Sequence, residues 1–134
     1  MSGFDYLIQM PFVELSRQGG VPPLPHQEVE RIRCEQSLSP SEFLNTFARH
    51  VAHDYLAEKL SFEVADVAMN SLSAYALKQY DVRLPSYAWE VYLAFDQGEF
   101  RHPEDDDLID PEEKYTRPEI QSIVVRDQIL GVTR

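Results

Sequence analysis

Cysteine is almost missing: Cys34 stands alone among 134 residues, which excludes an internal disulfide framework and a Cys-rich zinc site and suits a reducing compartment. With only five glycines, the chain contains no phosphate-cradling glycine loop, no dinucleotide fingerprint and no Gly-x-Ser-x-Gly elbow. Long apolar runs are missing too. A spanning helix needs about 20 predominantly apolar residues, so no membrane segment is expected. The N-terminal residues include Asp5 and Glu14 but no basic n-region, which argues against a secretory signal or Arg-rich transit peptide and predicts a cytoplasmic protein. Basic residues are few: 12 Lys and Arg face 23 Asp and Glu, for a net charge of −11. Such a charge repels phosphate at long range. It argues against nucleic acid and anionic membranes and in favour of basic partners.

What is present suffices for a core. Hydrophobic residues make up 43% of the chain and aromatics 11%, outside the range of disordered chains, and the length suits one domain. The patterning predicts an all-α fold: a four-helix core over residues 39–134, preceded over residues 1–38 by an N-terminal arm or short helices and a Pro-rich connector. Phe4, Tyr6, Leu7, Ile8, Met10, Phe12, Val13 and Leu15 form an apolar stretch in which Pro11 disfavours a continuous helix. Gly19-Gly20-Val21-Pro22-Pro23-Leu24-Pro25 reads as a turn and polyproline-like connector, with a proline-motif ligand as the alternative. Residues 27–36 predict a short charged helix with Val29 and Ile32 inward.

Ser39-Pro40-Ser41-Glu42 combines a capping hydroxyl, a first-turn proline and a glutamate three residues on, so a helix starts there. Phe43, Leu44, Phe47, Ala48, Val51, Tyr55 and Leu56 recur at spacings of three and four and form its apolar stripe, with a break near Leu60. Ser61 is predicted to cap a helix over Phe62 to Gln79, and Ser86 one over Tyr87 to Asp96. That third helix is apolar nearly all round, which predicts the deepest burial, with Trp89 in the core and Gly98 as a left-handed stop. Thr116-Arg117-Pro118-Glu119 predicts a capping box before a last helix carrying Ile120, Ile123, Val124 and Leu130, although Ile123-Val124-Val125 also suits a strand.

Three constellations invite chemistry. His50, His53 and Asp54 offer metal-ligand side chains, but His50 and His53 lie about 60° apart around a helix and off its apolar stripe, which equally describes a solvated polar face. The dipeptide His53-Asp54 resembles part of the HD phosphohydrolase signature, whose other histidine and aspartate find no match here. Cys34 follows Arg31 and Arg33, the setting of an activated thiol, yet most lone cysteines are inert. The run from Asp105 to Asp110 suggests calcium, but an EF-hand loop needs a glycine at its sixth position, where Asp110 stands.

The strongest feature is electrostatic. Residues 96–113 hold nine acids and one Arg, a net −8 out of −11. Carboxylates beside aromatics can steer and anchor a basic partner, while the bland reading is a solvated loop. The partner-binding candidates are Asp96, Glu99, Phe100, Glu104, Asp105, Asp106, Asp107, Asp110, Glu112, Glu113 and Tyr115.

Within Val91-Tyr92-Leu93-Ala94-Phe95-Asp96-Gln97-Gly98-Glu99-Phe100 and Asp110-Pro111-Glu112-Glu113-Lys114-Tyr115-Thr116-Arg117-Pro118, the sequence resembles small acidic bacterial immunity proteins, the cytoplasmic antidotes of polymorphic or contact-delivered toxins. The resemblance implies one-to-one masking of a basic toxin surface, such as a nuclease active site, with no catalysis and no cofactor. The rival expectations are a metal-dependent hydrolase using His50, His53 and Asp54, and a homo-oligomeric scaffold or phage accessory protein joined through the apolar N-terminal residues.

Overall fold

A computed structural model describes residues 3–18 and 23–130. The fold is all-α: the helices are α1 (Gly3–Gln18), α2 (His26–Glu35), α3 (Pro40–Leu56), α4 (Phe62–Tyr75), α5 (Ser86–Gln97) and α6 (Arg117–Ile129), with no strand among the described residues. One π-helical turn, Ala76–Tyr80, extends α4, and another, Glu112–Thr116, leads into α6. Helices α3, α4 and α5 pack on one another, α1 lies along α4, and α6 closes against α3 and α5.

Local signals explain the best-formed starts. Ser39 Oγ accepts the Glu42 N–H at 3.1 Å while Glu42 Oε1 accepts the Ser39 N–H at 2.8 Å, so both halves of the capping box form. Ser61 Oγ likewise accepts the Val64 N–H. The α3 stripe then buries Phe43, Leu44, Phe47, Ala48, Val51 and Tyr55, and the fully buried rings of Phe43 and Phe47 meet Phe4 of α1. Burying each such ring contributes about 1.5–3 kcal/mol. Val29 and Ile32 face inward from α2, as the charged-helix pattern predicts.

Elsewhere the structure corrects the sequence reading. Pro11 does not break the N-terminal segment: α1 runs as one 16-residue helix, because Phe4, Leu7 and Ile8 join the common core and their burial offsets the missing donor. Of the proline connector, residues 19–22 lie outside the described residues, whereas Leu24 is buried. Ser86 does not cap α5. Pro85 occupies that position, and Asn45 Oδ1 of α3 accepts the Ala88 N–H at 3.0 Å instead. Thr116 is no cap either; its helical backbone continues from the π-helical turn, and its buried hydroxyl donates to the Ala94 carbonyl at 2.7 Å. The last element is a helix rather than a strand, burying Ile120, Ile123 and Val124 but leaving Leu130 exposed.

Gly98 has φ −87°, not the left-handed conformation. Close approach explains it: a Cβ there would meet Thr116 Oγ1 at 2.1 Å and Phe62 Cε1 at 3.0 Å. The left-handed stops fall on Ser37, Glu58 and Asp81, after α2, α3 and the first π-helical turn. Nor is α5 buried on every side. Ala88, Val91, Ala94 and Phe95 face inward, but Trp89 and Tyr92 are half-buried and Leu93 is exposed.

Candidate functional site

The acidic segment begins where α5 ends and returns through the second π-helical turn, which determines how its side chains meet. His102 is buried between the rings of Phe100 and Tyr115, at centroid distances of 4.6 and 3.9 Å. Its Nε2 lies 2.9 Å from the Gln97 carbonyl, and because a carbonyl only accepts, Nε2 carries the proton in that contact. Asp105 accepts the Tyr115 hydroxyl at 2.6 Å and also binds Lys114, and these two groups, Lys114 first, hold its carboxyl below the ordinary value. Arg101 pairs with Asp107 across the loop. Asp106 and Asp110 accept the N–H groups of Leu108 and Glu112, tightening two turns from within. Behind them, Glu112 accepts the Tyr55 hydroxyl of α3 at 2.6 Å, and Glu113 accepts Arg117 Nε at 3.1 Å.

The predicted residues therefore divide by role. Asp105 and Tyr115 hold the loop together, and Asp107, Glu112 and Glu113 already have cationic neighbours. Glu104, Asp106 and Asp110 face solvent. Among them project Leu108, 93% exposed, Phe100, 47% exposed, and Ile109. Apolar side chains so exposed within a strongly charged loop are the kind of feature that binding surfaces use.

Asp96 and Glu99 turn the other way, toward Asp66 of α4. Glu99 accepts Asn70 Nδ2 at 3.3 Å, and Asp66 is hydrogen-bonded to Glu99. Burial first, then that bond and the charges of Glu99, Asp96 and Glu63, push the Asp66 carboxyl up to about 8 from an ordinary 3.8. Sequence reading missed Asp66; its one signal is an acid set inside the apolar run Val64-Ala65-Val67-Ala68. Because the folded chain keeps a proton that the unfolded chain releases, this group's contribution is fully present below pH 4 and is lost as pH rises through 8. Asp66→Asn is expected to flatten that decline. Since part of the carboxyl stays in water and is screened, the variant should exceed wild type at pH 9 by only about 1–2 kcal/mol in urea unfolding. Equal slopes from pH 5 to 9 in both proteins would count against the shared proton.

The histidine cluster is not the solvated face expected. The His50 ring stacks on Phe4 at 4.8 Å, and burial lowers its pKa. His53 Nε2 lies 2.9 Å from Oδ2 of Asp127 in α6, which also accepts the Tyr87 hydroxyl at 2.5 Å. Arg49 lies over the Tyr87 ring, its Nε 3.7 Å from the same oxygen. Asp127 was also missed, although it falls four residues after Ile123 and seven after Ile120, on the buried stripe of α6. Among the described residues, no group of three His, Cys, Asp or Glu is arranged to hold a metal ion. Cys34 is exposed, while Arg31 pairs with Glu28 and Glu35, and Arg33 with Glu30.

No described helix is long and apolar enough to cross a membrane. No protein-family model matches the chain, and no curated protein or solved structure is similar to it at a significant level.

Proposed function

We propose that the chain is a non-catalytic binding protein of the immunity type, a cytoplasmic bacterial protein that neutralises a toxin by masking a basic surface, with a nuclease active site as the fitting target. The observation that carries this reading is the pre-organised acidic loop. Leu108 stands almost fully in water at the tip of a loop clamped by Asp105–Tyr115, Asp105–Lys114 and Arg101–Asp107. A loop already ordered before binding loses little conformational entropy on association, and an apolar tip ringed by carboxylates provides an anchor as well as steering.

Affinity capture from the native host, followed by stopped-flow binding to the captured basic protein, tests the reading. Leu108→Ser is expected to raise the dissociation rate about tenfold or more, as loss of an anchor does. A Glu104→Gln, Asp106→Asn, Asp110→Asn triple variant should instead slow association and flatten its dependence on salt. Asp105 is left intact in that variant because it shapes the loop. If Leu108→Ser dissociates at the wild-type rate and the triple variant associates at the wild-type rate at low salt, the loop is only a solvated face.

A further inference from the structure

Helix α5 carries two aromatic side chains, Trp89 and Tyr92, that are only half-buried against the core. Trp89 and Tyr92 stack there at a centroid distance of 5.4 Å and an interplanar angle of 17°. The Arg83 guanidinium already lies 4.8 Å from the Trp89 centroid, so this ring receives a guanidinium from its own chain. One helical turn beyond Tyr92 stands Asp96, which with Asp66 and Glu99 forms a group of three carboxyls beside the aromatic pair. The Tyr92 phenol feels them: burial first, then the charges of Asp96, Glu99 and Asp66, raise its pKa.

Charge pairing separates this group from four carboxylates of the loop. Asp105, Asp107, Glu112 and Glu113 each have a Lys or Arg within 4.0 Å. Among the described residues, Asp66, Asp96 and Glu99 have no Lys, Arg or His within that distance. The loop thus neutralises part of its own charge; Asp66, Asp96 and Glu99, like Asp106 and Asp110, lack a counter-ion, and they lie next to the stacked rings of Trp89 and Tyr92. A cationic side chain with an apolar stem complements both features: its head answers the carboxyls and its methylenes cover the rings. Arginine adds a planar guanidinium, the group that Arg83 already places over the Trp89 ring.

We propose that the outer face of α5 is a docking site for a basic segment of a protein partner, with an arginine head entering between Asp66, Asp96 and Glu99 and its stem and an apolar neighbour covering Trp89 and Tyr92. The inference rests on the reading of a basic partner but assigns a contact separate from the Leu108 loop. A cation held there takes the place of the proton that the carboxyls share, so docking strengthens above pH 8 and weakens near pH 5, with Glu63 adding its charge from α4 and Asn70 remaining neutral beside Glu99.

Trp89 is the sole tryptophan, so its emission reports this face directly. The probe is an acetylated, amidated hexapeptide alternating arginine and leucine, titrated into the full chain at pH 8, beside the same peptide with glutamate for arginine and calcium chloride alone. The expected result is a saturable change with the arginine peptide only, weakened at least tenfold in an Asp66→Asn, Glu99→Gln double variant and unchanged in Leu108→Ser. The near-isosteric double variant is checked for wild-type circular dichroism, and an Asp96→Asn variant, expected to weaken binding at least threefold, gives a second reading of the same contact. Equal response to the glutamate peptide, equal binding by the double and Asp96→Asn variants, or no saturable response overturns the proposal. A response to calcium chloride alone that the double variant abolishes makes the group a metal site and also overturns it. Failure of the loop reading appears instead in the dissociation rate of the captured partner from Leu108→Ser, so the two failures are distinguishable.

Discussion

Replacing Asp127 with alanine is expected to destabilise the protein by about 2–4 kcal/mol, measured as a shift of the urea midpoint with unchanged far-ultraviolet circular dichroism. Asp127 is 3% exposed and receives the Tyr87 hydroxyl and His53 Nε2 on one oxygen, with Arg49 beside it. Burial, and then the hydrogen bond to Asp127, raise the Tyr87 phenol well above its ordinary pKa, so the hydroxyl remains a donor at every working pH. Removing the carboxylate leaves that donor without its acceptor and a largely buried guanidinium without the opposite charge beside it. The loss of both contacts exceeds what an ordinary pair at the surface contributes. Asp127→Asn, which retains an acceptor but not the charge, should lie between wild type and alanine. A change below about 1 kcal/mol for alanine would mean that water replaces the carboxylate and that the cluster does not fasten α6 to α3.

The two missed acids show where sequence reading stops. Asp66 sits inside an apolar run and Asp127 on an apolar stripe, so their oddness is visible in the sequence, but their partners lie far along the chain: Glu99 for Asp66, and His53 and Tyr87 for Asp127. Local chemistry was legible. The box at Ser39 and Glu42 and the cap at Ser61 form as read, because each needs only residues within one turn. The same local signal misled at Ser86 and Thr116. Tertiary neighbours intervene there: Asn45 supplies the cap of α5, and Thr116 spends its hydroxyl on Ala94. An all-round apolar helix likewise fits two situations, full burial and a helix with one buried and one exposed face. The placement of Trp89 and Tyr92 decides for the second. The acidity of residues 96–113 was plain, but which of its carboxylates are paired within the loop depends on the π-helical turn that brings Lys114 and Tyr115 to Asp105.

Gly98→Ala should couple stability to binding more directly than any change to a carboxylate. The added Cβ would stand 2.1 Å from Thr116 Oγ1 and 3.0 Å from Phe62 Cε1, so one of them must move. Phe62 already packs on Phe95, at a centroid distance of 5.9 Å, and Thr116 is fully buried with its hydroxyl on the Ala94 carbonyl. Displacing Thr116 breaks that bond within the core and shifts the end of the π-helical turn, on which Lys114 and Tyr115 hold Asp105. Overpacking and the lost buried bond together are expected to cost about 2–4 kcal/mol in urea unfolding. The loop should loosen at the same time, so amide exchange at residues 105–110 accelerates and association with the captured partner slows even where the variant is fully folded. A Gly98→Ala, Thr116→Ser double variant removes the threonine methyl but keeps the hydroxyl that the Cβ strikes, whereas Gly98→Ala, Thr116→Ala removes the oxygen itself. The alanine pair should therefore recover more stability than the serine pair. If serine rescues as well as alanine, the clash lies with the threonine methyl or the Phe62 ring, and Thr116 Oγ1 is not what requires glycine at position 98.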